Sequence, residues 1–187
     1  MKAIIYSLAL ASLFLVSCGT GDKTKTPSNN IDSDGAVTTA GSEAKATIKQ
    51  IFAAYFDLKN ALAQDNSPSA ADAAKQVIGA MSGLDKGSLS KEQAIVFNDI
   101  YDDAKGHAEH VAENGGNLAH QREHFETLSE EMVELAEVTP GEKLYLDHCP
   151  MFNDGKGANW LSESKAISNP YLGKSMPTCG TVKKEIN

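Results

Sequence analysis

Cysteine is scarce in this 187-residue chain, with only Cys18, Cys149 and Cys179. One of the three ends a leader-like stretch, so at most one disulfide can form within the rest of the chain, between Cys149 and Cys179. Basic residues are also few, 17 against 25 acidic ones, for a formal net charge of −8. Without a basic patch the chain is not built to bind nucleic acid or to adhere to anionic lipid headgroups. Long apolar runs are limited to Ala3 to Val16, fourteen residues, shorter than an ordinary membrane span. Missing too are a phosphate loop, a His-Glu-x-x-His, a Gly-x-Ser-x-Gly and a Cys-x-x-Cys-His haem attachment motif. No catalytic set emerges, and the chain is not expected to be an enzyme.

What is present begins with the leader. Lys2, the apolar stretch and Leu15-Val16-Ser17-Cys18 have the proportions of a signal peptide ending in a bacterial lipobox. Residues 1–17 are therefore expected to be cleaved and Cys18 to be lipidated, anchoring the chain to a membrane. Residues 18–41, rich in Gly, Ser, Thr and Asn, cannot bury enough apolar area to offset ordering entropy and read as a flexible tether.

Residues 42–187 read as a single domain. Ile48, Ile51, Phe52, Tyr55, Leu58 and Leu62 recur at the three-and-four spacing of an amphipathic helix within Glu43 to Gln64. Ser67-Pro68 interrupts it, and Ser69 or Asp72 is placed to cap a second helix carrying Ala73, Ala74, Val77, Ile78 and Met81. A third helix, capped by Ser88 or Ser90, carries Ala94, Phe97, Ile100, Tyr101, Ala104, Ala108 and Val111. A fourth follows Asn114-Gly115-Gly116-Asn117 with Leu118, Phe125, Leu128, Met132 and Leu135. Short breaks force neighbouring helices to reverse, so the expected fold class is all-α: an antiparallel up-down four-helix bundle. After Thr139-Pro140-Gly141 the chain turns irregular, with a short strand in "EKLYLDHC", and is expected to pack on the bundle through Trp160, Leu161, Ile167 and Tyr171.

Two constellations could carry chemistry. His107 and His110 lie three apart near the end of the third helix, and His120 and His124 four apart at the start of the fourth. Each pair shares a helix face, and the intervening turn brings both pairs to one end of the bundle. His107 and His124 fall roughly 60–70° from the centres of their apolar stripes, while His110 and His120 point further toward water. The second constellation is sulfur. Cys149 stands two residues before Met151, and Met176 three before Cys179. Thiolates and thioethers are soft ligands that favour Cu(I) over hard ions. The alternative joins Cys149 to Cys179 as a structural disulfide and uses both methionines as core filler. Arg122 and Glu123 read as surface or bundle-locking polar groups.

The strings "HQREHFETLSEEM" and "LYLDHCPMFNDGKGANWLSESKAISNPYLGKSMPTCGTV" resemble the DUF3347 family. The Cys-Pro-Met, Trp-Leu-Ser, Asn-Pro-Tyr-x-Gly and Met-x-x-Cys-Gly elements occur in order, with Pro177 where an apolar residue such as Leu is more usual. The resemblance implies a small exported protein or lipoprotein of Bacteroidetes type. Its domain also occurs attached to membrane-fusion subunits of heavy-metal efflux pumps, which implies soft-metal handling. Carried over by position, the family pattern points to His107, His110, His120, Gln121, Arg122, His124, Cys149, Met151, Met176 and Cys179.

The expectation is thus a lipoprotein of the bacterial envelope, anchored in the outer membrane and facing the periplasm, that binds copper as Cu(I). Cys149 and Cys179 would serve as thiolates, Met151 and Met176 as thioethers, and His124 or His107 would complete the shell. The partners expected are a metal ion, the membrane through the anchor, and an efflux membrane-fusion protein. The competing expectation is a protein-interaction module without metal, fixed by a Cys149–Cys179 disulfide.

Overall fold

A computed structural model describes residues 33–186 except Glu142, with positions 33–40 described by backbone alone. The leader, the lipobox with Cys18 and most of the tether lie outside the described residues. From Ser33 onward the chain forms one compact unit.

Four helices, α1 (Ser33–Ala63), α2 (Ser67–Ser82), α3 (Lys91–Glu113) and α4 (Leu118–Glu137), follow each other through short connections. Each packs on the next, and α1 also meets α4. The apolar stripes read from the sequence form the core: Ile48, Tyr55, Leu58, Phe97, Ala104, Phe125, Leu128 and Met132 are all fully buried. The alanines of α2 do the same on a smaller scale, with Ala70 and Ala74 fully buried where α2 meets its neighbours.

Helix boundaries depart from the sequence reading in two places. α1 starts at Ser33 and takes in residues 33–41, which read as tether. Once buried anchors such as Ala44 and Ile48 hold a helix, each residue added at its end gains a hydrogen bond without a new nucleation cost. α2 is capped by Asn66, whose side chain accepts from the Ser69 N–H at 3.2 Å, and not by Ser69 or Asp72. Pro68 falls in the first turn, where its missing N–H costs nothing.

Of the two serines considered for α3, Ser90 caps it, in a capping box with Gln93. The Gln93 N–H donates to Ser90 Oγ at 3.2 Å and the Ser90 N–H to Gln93 Oε1 at 3.1 Å. Ser90→Ala is expected to cost about 1 kcal/mol in urea unfolding.

The C-terminal segment holds more strand than its composition suggested. β1 (Leu144–Cys149), β2 (Ala158–Ser162) and β3 (Thr181–Ile186) form an antiparallel sheet in the order β2-β1-β3. Cys149 pairs with Ala158 and Asp147 with Trp160 across β1–β2; a bulge between Leu146 and Asp147 offsets the pairing with β3. The sheet packs on α4 through β2. Trp160, Leu161 and Tyr171 are buried there as expected, and Ile167 is half-buried.

An aromatic and polar junction joins sheet to bundle. Tyr55 of α1 stacks on Phe125 of α4 with ring centroids 5.3 Å apart. Its hydroxyl lies 2.8 Å from Ser129 Oγ and accepts the Leu161 N–H of β2 at 3.1 Å. Tyr171 packs against Phe125, Phe152 and Trp160, and donates its hydroxyl proton to the Asn159 carbonyl. Among the described residues, no helix is long and apolar enough to cross a membrane.

Candidate metal centre

The α3–α4 turn is locked from behind by a buried side chain. Gln121, fully buried, accepts from Ser67 Oγ at 2.7 Å and donates to the carbonyls of Ser67 and Val111, both at 3.1 Å. Ser67 Oγ in turn accepts the Gly116 N–H at 2.6 Å. Asn117 caps α4 by accepting the His120 N–H at 3.3 Å. These bonds set the register of α4 against α3 and the start of α2, and with it the positions of the histidines on either side.

The four histidines converge. His110 and His124 stack nearly parallel, centroids 4.2 Å apart and planes 4° off. His120 meets His124 edge-on at 4.5 Å, and His107 Nδ1 lies 2.9 Å from His124 Nδ1. One ring nitrogen from each of His110, His120 and His124 lies within 4.8 Å of the others. Imidazole nitrogens bound to one tetrahedral ion stand about 3.4 Å apart at metal–nitrogen bonds of about 2.05 Å. Small side-chain rotations therefore close the set.

Outer partners orient the rings. His120 Nδ1 lies 3.3 Å from Glu123 Oε2, and His124 Nδ1 engages His107. With Nδ1–H donated in each case, Nε2 keeps its lone pair, the arrangement that commonly orients a metal-bound histidine. Burial, followed by the neighbouring histidines, holds the His124 imidazole below its ordinary pKa. For His107, burial is again the largest cause of the lowering, which nearby Asp103 opposes. Both rings are thus neutral at neutral pH, the state a metal requires.

The sulfur residues lie elsewhere, at the end of β1 and in the loop before β3. Cys149 is fully buried and Cys179 half-buried, both as free thiols with sulfurs 3.8 Å apart. Burial pushes the Cys179 thiol up, and the adjoining Cys149 adds to this. Met151 and Met176 are exposed, at 56% and 40%. That departs from the core-filler alternative: neither methionine is buried. Among the described residues, no histidine or carboxylate forms a three-ligand group with the two thiols.

Residues 51–143 match the family model described as "Protein of unknown function (DUF3347)". The chain belongs to the DUF3347 family. The matched stretch of this DUF3347 chain holds His107, His110, His120 and His124, with Gln121 and Arg122, and ends before Cys149. No curated protein and no solved structure matches the chain.

The geometry divides the residues implied by the family pattern into three groups, with Cys149, Met151, Met176 and Cys179 at the end of β1 and in the loop before β3. His110, His120 and His124 bring ring nitrogens within 4.8 Å of one another, with His107 behind. Gln121 and Arg122 instead hold helices: Arg122 donates to the carbonyls of Leu62 at 2.9 Å and Pro170 at 2.7 Å, and pairs with Asp65 at 2.6 Å. The sequence placed His107 and His124 closer to the core than His110 and His120, yet the converging trio includes both water-facing residues. A helix–helix seam widens toward solvent at its rim, which is where facing side chains have room to meet around an ion. Glu123 read as a surface group; its i, i+3 spacing from His120 was the available signal.

Proposed function

We propose that this DUF3347 chain binds copper at the bacterial envelope through the histidine cluster at the α3–α4 turn. One observation carries the reading: donors of His110, His120 and His124, from two different helices, lie within 4.8 Å of one another with His107 and Glu123 bonded behind them. Imidazole suits copper and zinc, and copper binds more tightly than zinc to nitrogen ligands. Lipid anchoring at Cys18 and delivery to an efflux membrane-fusion protein would place this binding in metal handling, and the acidic surface is compatible with a cationic cargo.

The test is Cu(II) and Zn(II) titration of the metal-free protein against a competing chelator, beside His120→Ala and His124→Ala. Each substitution removes one of three ligands and is expected to weaken binding at least 100-fold, with copper bound more tightly than zinc. Wild-type affinity in both variants would overturn the reading.

A further inference from the structure

The second constellation is pre-organised in a way that the histidine reading does not require. Asn169, fully buried, donates its side-chain amide to the Cys179 carbonyl and its backbone N–H to the Pro177 carbonyl at 2.9 Å. Its Oδ1 accepts from the N–H groups of Tyr171 and Leu172 at 2.8 and 2.9 Å. The loop is closed again where the Cys179 N–H donates to the Met176 carbonyl at 3.1 Å. Gly180, at φ +143, lies so close to the His148 carbonyl and the Trp160 ring that an added Cβ would stand 2.9 Å from each. Two thiols from distant parts of the chain are thus pressed together by hydrogen bonds and packing, with no covalent link between them.

Their separation is informative. Two thiolates on one ion at metal–sulfur bonds of about 2.3 Å stand 3.8 Å apart when the angle at the ion is about 110°. A linear two-coordinate ion would need about 4.6 Å at the same bond length. The pair therefore fits two corners of a three- or four-coordinate ion. With no nitrogen or carboxylate donor completing the group among the described residues, further ligands come from thioether or solvent. The exposed Met151 and Met176 belong to the same two stretches of chain as the thiols. Thioether from these methionines would complete such a shell for a thiophilic monovalent ion, whereas zinc gains little from a thioether.

We infer that Cys149 and Cys179 form a second metal site, separate from the histidine cluster and selective for a soft monovalent ion such as Cu(I) or Ag(I). Binding releases one proton from each thiol, two per ion. Thiol–disulfide exchange with an external disulfide closes the site: the Cys149–Cys179 S–S bond forms as the S–S bond of that disulfide breaks, and its two sulfurs leave as thiols carrying the two electrons and two protons. Because the ligands are distinct, this inference and the histidine reading stand or fall independently.

The full chain, reduced and metal-free, would be titrated anaerobically with Ag(I), a redox-inert probe, while thiolate-to-metal absorption in the ultraviolet is recorded. Wild type and a His120→Ala/His124→Ala variant are expected to bind one Ag(I) with the same absorption. Cys179→Ser, which alters a half-buried position, and Cys149→Ser/Cys179→Ser are expected to lose at least 100-fold in affinity. Far-UV circular dichroism would confirm that each variant is folded. Disulfide-oxidised protein is expected to lose the Ag(I) site and to keep its Zn(II) binding unchanged. Three results would overturn the inference: a Cys179→Ser variant that binds Ag(I) like wild type, loss of Ag(I) binding in the histidine variant, or folded, fully reduced wild type that binds none.

Discussion

Gly173→Ala is expected to destabilise the protein by about 3 kcal/mol or more in urea unfolding, far beyond the usual cost of a surface substitution. Two causes act together. Gly173 sits at φ +53, in the left-handed region, where a Cβ carries a steric penalty of about 1 kcal/mol. The larger cause is space: an added Cβ would stand 1.9 Å from Asp65 Oδ1 and 2.4 Å from Arg122 Nη2. Those atoms cannot retreat cheaply. Asp65 itself has φ 53, and its carboxylate accepts from Arg122 at 2.6 Å and from the Lys174 N–H at 3.2 Å. The hydrogen bond from Arg122 is also the main reason the Asp65 carboxyl is held below its usual pKa. Parting the pair would leave a half-buried guanidinium without its carboxylate and unfasten the end of α1 from α4 and from the C-terminal segment. Gly79→Ala is the control: nothing lies within 4 Å of its added Cβ, and in a helix interior it should be neutral or stabilising.

Asp147→Asn is expected to stabilise the fold by about 2 kcal/mol at pH 8, with the gain vanishing near pH 4. Asp147 is fully buried in β1, and neither carboxylate oxygen has a hydrogen-bond partner. Burial pushes its pKa up to about 6; Lys59 opposes the shift and Glu163 adds to it. A carboxyl whose folded pKa lies above its unfolded value near 3.8 binds its proton more tightly when folded. Its contribution to stability is then full below about pH 4 and is lost as pH rises through 6. Two pKa units correspond to nearly 3 kcal/mol, and part of the gain is offset because Lys59 loses one of the two carboxylates acting on it. Lys59, almost fully buried, keeps its 2.8 Å ion pair with Glu163. Urea melts of both proteins from pH 4 to 8 would show curves that separate only on the alkaline side. Parallel curves would mean that Asp147 is not the titrating group.

The helical half was legible because its signal is periodic and redundant. Phe97, Ile100, Ala104, Ala108 and Val111 recur at helical spacing, all are buried, and the short turns left only an antiparallel order. The convergence of the histidines followed from the same logic, since spacing fixes the face and the turn fixes the end. The sheet was harder to read. Five of the six residues of β3 are exposed, so no alternation marks it, and β2 has only five residues, with three buried in succession. Such strands are defined by what they pair with. The Cys149–Cys179 contact was foreseeable as a pairing of the only two cysteines beyond the leader. Asn169, which positions Cys179, had no spacing signal: its role depends on a loop closing back on itself. The start of α1 was misjudged because composition describes what a segment does alone, while residues 33–41 continue a helix nucleated further on.

Trp160, the chain's one tryptophan, is fully buried where β2 meets the bundle and lies beside Tyr171 and Gly180. The molecule therefore carries a single tryptophan, excitable apart from its five tyrosines, at its seam. Its emission follows the docking of the sheet, whereas far-UV ellipticity is dominated by the four helices. Denaturation curves from the two signals would coincide if the junction at Tyr55, Ser129 and Leu161 makes sheet and bundle one cooperative unit, and would part if the sheet detaches first.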